Sequence, residues 1–131
     1  MRTCVLLSFC LLLFCCKDST SKESLSTEIK DIDISEVLKY MNENKNFVLL
    51  DVRTAVETKE GKITSDATEI DFYGDNFREE IRKLDKTKTY LVYCRSGKRS
   101  SSSQKIMVEE GFEKVYNILG GYLAWEEQNS N

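Results

Sequence analysis

The chain has 131 residues, which is enough for one domain with an ordinary core but not for two. Its 19 basic and 22 acidic residues give a formal net charge of -3, without the basic excess typical of a nucleic-acid-binding protein. The sequence contains no histidine, which excludes Ser-His-Asp and Cys-His catalysis and imidazole metal sites. Any catalytic chemistry must therefore run without imidazole.

Residues 1–16 predict a signal peptide of the lipoprotein type. Arg2 precedes an apolar run over residues 4–16, which is shorter than the roughly 20 residues of a membrane-spanning helix. Cys15 and Cys16 end this run, and small Cys15 before the cut makes Cys16 the favoured lipidation site. The alternatives are plain secretory cleavage, an uncleaved anchor and a chance apolar start of the chain. We expect an exported lipoprotein of the cell envelope, periplasmic or on the outer membrane, attached to the membrane by its lipid anchor.

The rest of the chain divides into a polar, serine-rich tether over residues 17–27 and a folded domain over residues 28–129. Short apolar runs alternate with helical patterns in this domain, which predicts an α/β fold with a parallel sheet. In chain order we expect a strand over 32–34, a helix capped by Ser35, a strand over 47–51, a weak strand over 68–71, a helix over 75–84, a strand over 89–93, a helix over 100–111, a strand over 114–119, and a short helix carrying Leu123, Ala124 and Trp125.

Cys94 is the only cysteine after Cys16, so the domain lacks the second thiol that a disulfide needs and the additional thiolates that a zinc site needs. It follows a predicted strand and precedes a predicted helix, where backbone amides and the helix dipole stabilise a thiolate. Gly97 permits a tight turn, and Arg95, Lys98 and Arg99 add positive charge. Asp51 also ends a strand, so we expect it in the same cleft. The alternative is a buried structural cysteine beside a solvated basic loop.

Three segments resemble the rhodanese family. Residues 94–100 (CRSGKRS) resemble its active-site pattern C-x-x-G-x-R-S, residues 51–61 its D-V-R-T-P-x-E segment and following glycine, and residues 120–125 its closing G-G-x-x-A-W. The resemblance implies a parallel sheet of about five strands flanked by helices on both faces. It also implies a sulfurtransferase in which Cys94 carries sulfur as a persulfide.

The resemblance further implies the substrates and the residues that bind them. Sulfur would pass from a small anionic donor such as thiosulfate to a thiol or to cyanide, with no cofactor, metal or nucleic acid, in a monomer. The substrate-binding residues would be Arg95, Ser96, Gly97, Lys98, Arg99 and Ser100. For support, we expect Asp51 to accept backbone hydrogen bonds, Arg53 to pair with Glu57, and Trp125 to anchor the core.

The sequence departs from the family pattern between residues 55 and 67. Lys62 replaces the usual histidine, and Ala55 replaces the usual proline. Residues 64–67 stand where the family has a tighter turn that is one residue shorter. These departures predict a different cleft wall opposite Cys94, with Lys62 adding charge near the entrance.

Three other functions compete with sulfur transfer. Cysteine-dependent phosphatases and arsenate reductases place five residues between cysteine and arginine, whereas four separate Cys94 from Arg99. A non-catalytic binding module of the same fold would have no need to keep the cysteine. A thiol redox role would need a resolving cysteine, and none follows Cys16.

Overall fold

The computed structural model describes residues 27–130. The predicted signal peptide, Cys16 and all but the last residue of the predicted tether lie outside these residues. Within the part that is described, no helix is both long enough and apolar enough to cross a bilayer.

Strands and helices alternate along the described residues. In chain order they are β1 (Glu28–Ile32), α1 (Ile34–Glu43), β2 (Phe47–Asp51), α2 (Ala55–Glu60), β3 (Thr68–Glu69), α3 (Phe77–Arg82), β4 (Thr89–Tyr93), α4 (Lys98–Glu109), β5 (Lys114–Ile118) and α5 (Gly121–Asn129). The strands form one sheet in the order β1-β5-β4-β2-β3, and each neighbouring pair is parallel. The predicted α/β fold with a five-stranded parallel sheet is confirmed.

Helices cover both faces of the sheet and create two apolar cores. On one face, α3 and α4 contribute Phe77, Ile81 and Met107 to a buried cluster. On the other face, Val37 of α1 is fully buried, and partly buried Trp125 of α5 packs against the same cluster. Because both faces are covered, β4 is buried at every residue, as expected for a central parallel strand.

The start of α1 differs from the prediction, because Asp33 rather than Ser35 caps the helix. Asp33 Oδ1 accepts hydrogen bonds from the amides of Ser35 and Glu36 at 2.9 and 3.0 Å. The Glu36 carboxylate in turn accepts one from the Asp33 amide at 3.2 Å, which completes a capping box. The helix therefore begins at Ile34, and β1 ends at Ile32, where the strand predicted over 32–34 was expected to begin.

Other boundaries are also shorter or earlier than predicted. β3 ends at Glu69, and a turn follows in which the Gly74 amide donates to the Asp71 carbonyl at 3.0 Å. α3 is confined to Phe77–Arg82, and β5 ends at Ile118. α4 begins at Lys98 rather than Ser100, so the serines lie inside its first turns. β2 and β4 have the predicted bounds.

The carboxyl ends of β2, β4 and β5 meet at one edge of the sheet. Asp51 is in register with Tyr93, and Val92 is in register with Asn117. Since Cys94 directly follows Tyr93, it emerges between the end of β2 and the end of β5. The functional site is therefore built from the loops of this edge.

Candidate active site

Cys94 lies in a recess at the carboxyl edge of the sheet. It is a free cysteine, and only 1% of its surface is exposed. The strand before it is paired on both sides, and α4 begins four residues later at Lys98. A substrate must therefore enter the recess to contact the sulfur, because the sulfur does not project from the surface.

Donors from the following turn surround the Cys94 sulfur. The Gly97 amide donates a hydrogen bond to Sγ at 3.1 Å, and the Ser100 hydroxyl donates one at 3.5 Å. The amides of Ser96 and Ser100 also lie close enough to the sulfur to lower the pKa of the thiol. N–H groups at the start of a helix have no carbonyl partner within the helix, so those at the start of α4 can stabilise a negative charge on sulfur.

Gly97 gives the turn its shape. Its φ of 95° lies in the left-handed region, which glycine adopts without strain. A Cβ at this position would lie 3.3 Å from both the Gly120 amide nitrogen and the Ile118 carbonyl oxygen. Glycine is therefore required both for the backbone conformation and for close packing against the end of β5.

Opposing effects act on the thiol of Cys94. Burial raises its pKa, while hydrogen bonds from the Ser100 hydroxyl and from the amides of Ser96, Gly97 and Ser100 lower it. The hydrogen bonds prevail, and the pKa lies below the ordinary value for cysteine. The site thus favours the thiolate, which is the nucleophilic form of the side chain.

Arg99 forms a bidentate ion pair with Glu57 of α2. Its Nη1 and Nη2 atoms lie 2.8 and 2.6 Å from the two carboxylate oxygens. The pair lowers the pKa of Glu57 to about 2 and raises that of Arg99. The predicted pairing of Glu57 with Arg53 is therefore wrong, and the charge of Arg99 is largely neutralised.

Arg95 and Lys98 are the exposed cations of the loop. Neither side chain forms an ion pair with any residue in the range 27–130. Their charge is thus available to a ligand, unlike that of Arg99. These two residues give the rim of the recess a local positive charge despite the acidic composition of the chain.

Asp51 and Arg53 form a buried pair below the loop. Arg53 Nη2 lies 2.6 Å from Asp51 Oδ2 and 2.7 Å from the Gly61 carbonyl oxygen. The Arg53 amide also donates to Asp51 Oδ1 at 3.0 Å, so Asp51 does accept a backbone hydrogen bond. The guanidinium stacks on the ring of Tyr122 at 4.1 Å. This network links β2, α2 and α5 and contacts no reacting atom.

Comparison with known proteins identifies the family. Residues 33–128 match the sequence profile of the Rhodanese-like domain. The chain belongs to the rhodanese-like domain family. Its relatives include YtwF of Bacillus subtilis, which is 39% identical over 99 residues, covering 76% of this chain and 92% of YtwF. Thiosulfate sulfurtransferase GlpE of Coxiella burnetii is 31% identical over 99 residues, covering 76% and 86% of the two chains.

Solved structures agree with this rhodanese-like assignment. The crystal structure of a rhodanese-like domain protein from Staphylococcus aureus superposes with a TM-score of 0.65 at 28% identity. The superposition covers 73% of this chain and 90% of that one. The likeness extends across almost the whole domain rather than the active-site loop alone.

Lys62, which stands where the family usually has histidine, is paired in this rhodanese-like domain. Its Nζ lies 2.7 Å from Glu69 Oε1 at the end of β3. The ion pair lowers the pKa of Glu69. Lys62 therefore stabilises the segment that enters β3, and most of its charge is compensated there.

The start of α5 supports the active-site loop of the rhodanese-like domain from behind. The amides of Tyr122 and Leu123 donate to the carbonyls of Cys94 and Arg95 at 2.8 and 3.1 Å. A Cβ on Gly121 would collide with these carbonyls, approaching the Arg95 oxygen to 2.8 Å. This role was not predicted, although the paired glycines directly after the predicted strand over 114–119 are its signal in the sequence.

Proposed function

We propose that this protein is a sulfurtransferase that carries sulfane sulfur as a persulfide on Cys94. The Cys94 thiolate attacks the outer sulfur of a donor such as thiosulfate, the sulfur–sulfur bond of the donor breaks, and sulfite leaves with the bonding pair. A thiophilic acceptor then attacks the outer sulfur of the persulfide, and Cys94 returns to the thiolate. The observation that carries this proposal is the hydrogen bond from the Gly97 amide to Sγ at 3.1 Å, within a ring of converging donors.

The charges and the relatives support an anionic donor. Arg95 and Lys98 have no ion-pair partner among the described residues, and their positive charge at the mouth of the recess attracts a dianion such as thiosulfate. The Coxiella burnetii relative is named for transfer from thiosulfate, and a 28% identical relative from Allochromatium vinosum is named a sulfurtransferase. We extend the chemistry in these names to the present chain.

Intact mass spectrometry tests the persulfide. The chain from Lys17 onward contains Cys94 as its only cysteine, so an adduct can be assigned without ambiguity. After incubation with thiosulfate, we expect a gain of one sulfur atom that cyanide removes and that the Cys94→Ser variant lacks. Absence of an adduct with thiosulfate, polysulfide and small persulfides would contradict the proposal and favour a binding module. Hydrolysis of an aryl phosphate that depends on Cys94 would instead favour a phosphatase.

We also propose that the protein is exported and anchored in the cell envelope through a lipid on Cys16. The support comes from three features of the sequence: the short apolar run over residues 4–16, the cysteine pair that ends it, and the polar tether over residues 17–27. Labelling with a palmitate analogue, together with processing that globomycin blocks, is the expected result in bacterial cells. Release of a soluble, unlabelled protein would contradict the anchor.

A further inference from the structure

Most of the large apolar side chains exposed on the described residues lie around the active-site edge. Four of them are Val56, Tyr73, Leu119 and Leu123, with exposed fractions of 72, 69, 47 and 40%. The fifth, Ile29, lies on the edge strand β1. Isolated exposed apolar residues are normal, but a concentration of them at one functional edge indicates contact with a partner.

These four residues, here called the apolar rim, flank the Cys94 loop on two sides. On the β5 side, Leu119 follows the strand, and the Leu123 amide is bonded to the Arg95 carbonyl at 3.1 Å. On the β2 side, Val56 precedes Glu57, the partner of Arg99. The Tyr73 ring lies 5.5 Å from the Arg99 guanidinium. Because β4 lies between β2 and β5, the loop sits between the two halves of the rim.

Positive charge lies between the two halves of the apolar rim. Arg95 and Lys98 are exposed there, without ion pairs among residues 27–130. Thiosulfate and cyanide are small and polar, so neither would use the apolar side chains that surround this charge. The combination fits a larger occupant that carries negative charge and apolar groups of its own.

We propose that the apolar rim, with Arg95 and Lys98, is a docking surface for an acidic protein segment that contains apolar side chains and presents an acceptor cysteine. This inference rests on the proposed function, because it names the class of acceptor. The acceptor thiolate attacks the outer sulfur of the Cys94 persulfide, and the bond between the two sulfurs breaks. The acceptor leaves as a persulfide, and Cys94 remains as the thiolate. An anionic lipid surface suits the same charges but brings no thiol to a sulfur that is 1% exposed.

Transfer to matched peptides tests the charge of the partner. The full chain in detergent is loaded with thiosulfate and given a peptide in which aspartate, glutamate, leucine and phenylalanine flank one cysteine. The comparison peptide has lysine at every acidic position, and rates are compared at equal thiolate concentration. We expect transfer to the acidic peptide to be about tenfold faster at low salt, and the difference to shrink as salt is raised. Equal rates would overturn the proposal.

Variants of the rim test the apolar contacts. Combining Val56→Ser with Leu123→Ser is expected to slow transfer to the acidic peptide about fivefold while discharge by cyanide stays as in the wild type. Ile29→Ser is the matched control, since Ile29 is exposed near the amino end of edge strand β1, two strands from β4, and it should change neither rate. A rim variant that behaves like Ile29→Ser would overturn the docking surface.

A binding measurement separates this inference from the proposed function. Anisotropy of the labelled acidic peptide with the Cys94→Ser chain reports docking without any persulfide. Weaker binding to the rim variant supports the docking surface, and unchanged binding overturns it. If Cys94 forms no persulfide but the rim variant still weakens peptide binding, the proposed function and the acceptor role are overturned and the docking surface alone stands. If the rim variant loses binding to phosphatidylglycerol vesicles but not to the peptide, the surface contacts lipid and the proposal is wrong.

Discussion

Glu57 and Arg99 join helix α2 to the active-site loop through two hydrogen bonds of 2.8 and 2.6 Å. The Glu57 carboxylate also accepts hydrogen bonds from the Thr54 amide and hydroxyl at 3.0 and 2.9 Å, which fixes its orientation at the start of α2. Arg99 is thereby held beside the loop with its charge compensated. The pair is a structural clamp, and its energetics can be measured apart from sulfur transfer.

Replacing Glu57 by glutamine should destabilise the fold in a way that depends on pH. At pH 7 we expect Glu57→Gln to lower the free energy of unfolding by about 1 to 2 kcal/mol, because a charge-assisted, partly buried pair is lost. The pKa of Glu57 is about 2 in the folded chain and near its ordinary 4.5 in the unfolded chain. The unfolded chain therefore binds the proton first as pH falls, and stability is lost between about pH 5 and pH 2.

Urea unfolding of wild type and Glu57→Gln at several pH values measures this effect. The difference between the two proteins should shrink towards zero as the pH approaches 2. Glu69→Gln serves as the control, because the pair of Glu69 with Lys62 is more exposed and should contribute less. Parallel stability curves for wild type and Glu57→Gln across this range would show that the clamp contributes nothing.

Removing the hydroxyl of Ser100 should raise the pKa of Cys94. Ser100 is fully buried, and its Oγ–H donates to the sulfur, so Ser100→Ala removes one of the groups that stabilise the thiolate. We expect the midpoint of the thiolate ultraviolet absorbance to move to higher pH. Ser102→Ala, on the exposed side of α4, is the control and should leave the midpoint in place. An unchanged midpoint in Ser100→Ala would assign the lowered pKa to the amides alone.

Adding a methyl group to Gly121 should distort the active-site loop. The Cβ of Gly121→Ala would press on the carbonyls of Cys94 and Arg95 at a φ of 56°. We expect a loss of at least about 2 kcal/mol in the free energy of unfolding and a slower formation of the persulfide. Gly111→Ala is the matched control: its φ is 90°, but no atom lies within 4 Å of its Cβ. It should cost only about 1 kcal/mol and leave the reaction rate unchanged. If both variants lose the same free energy of unfolding and react at the same rate, the effect of Gly121→Ala comes from its positive φ alone. The contact with the loop carbonyls would then contribute nothing.

Removing the two exposed loop cations should weaken the use of an anionic donor. We expect Arg95→Ala combined with Lys98→Ala to lower kcat/KM for thiosulfate about tenfold at low salt, and to flatten its dependence on ionic strength. Lys105→Ala is the control, because Lys105 is exposed on α4 without belonging to the loop. Steady-state kinetics at several salt concentrations measure both effects. A double variant with the salt dependence of wild type would show that the donor is not steered by these charges.

The sheet and the position of the nucleophile were predictable from local sequence. β2 and β4 are apolar runs bounded by polar residues, so their limits follow from composition, and the placement of Cys94 follows from the end of β4. β1 was misplaced, because its charged, largely exposed residues give no apolar signal. The strand predicted over 32–34 includes Asp33, so Asp33 was not available as a helix cap in the prediction. In the structure, Asp33 is the N-cap of α1.

The partners of the charged residues could not be predicted in the same way. Arg53 and Arg99 both carry a charge that suits Glu57, and proximity in sequence favours Arg53. In the fold, Asp51 is buried and takes the guanidinium of Arg53, while the adjacency of β2 and β4 brings α4 to Glu57. Glu57 and Arg99 are 42 residues apart in sequence, so their pairing depends on how α2 and α4 are placed in the fold. No local sequence pattern encodes that placement.

The double-sided pairing of β4 also determines how the reactive loop can move. The strand before Cys94 is hydrogen-bonded along its length to β2 and β5, and α4 packs on it from the loop onwards. Amides of such a central strand exchange with solvent only when the whole domain opens. We therefore expect the amides of β4 to be among the slowest to exchange, and the nucleophile to stay attached to this rigid strand while a substrate approaches it.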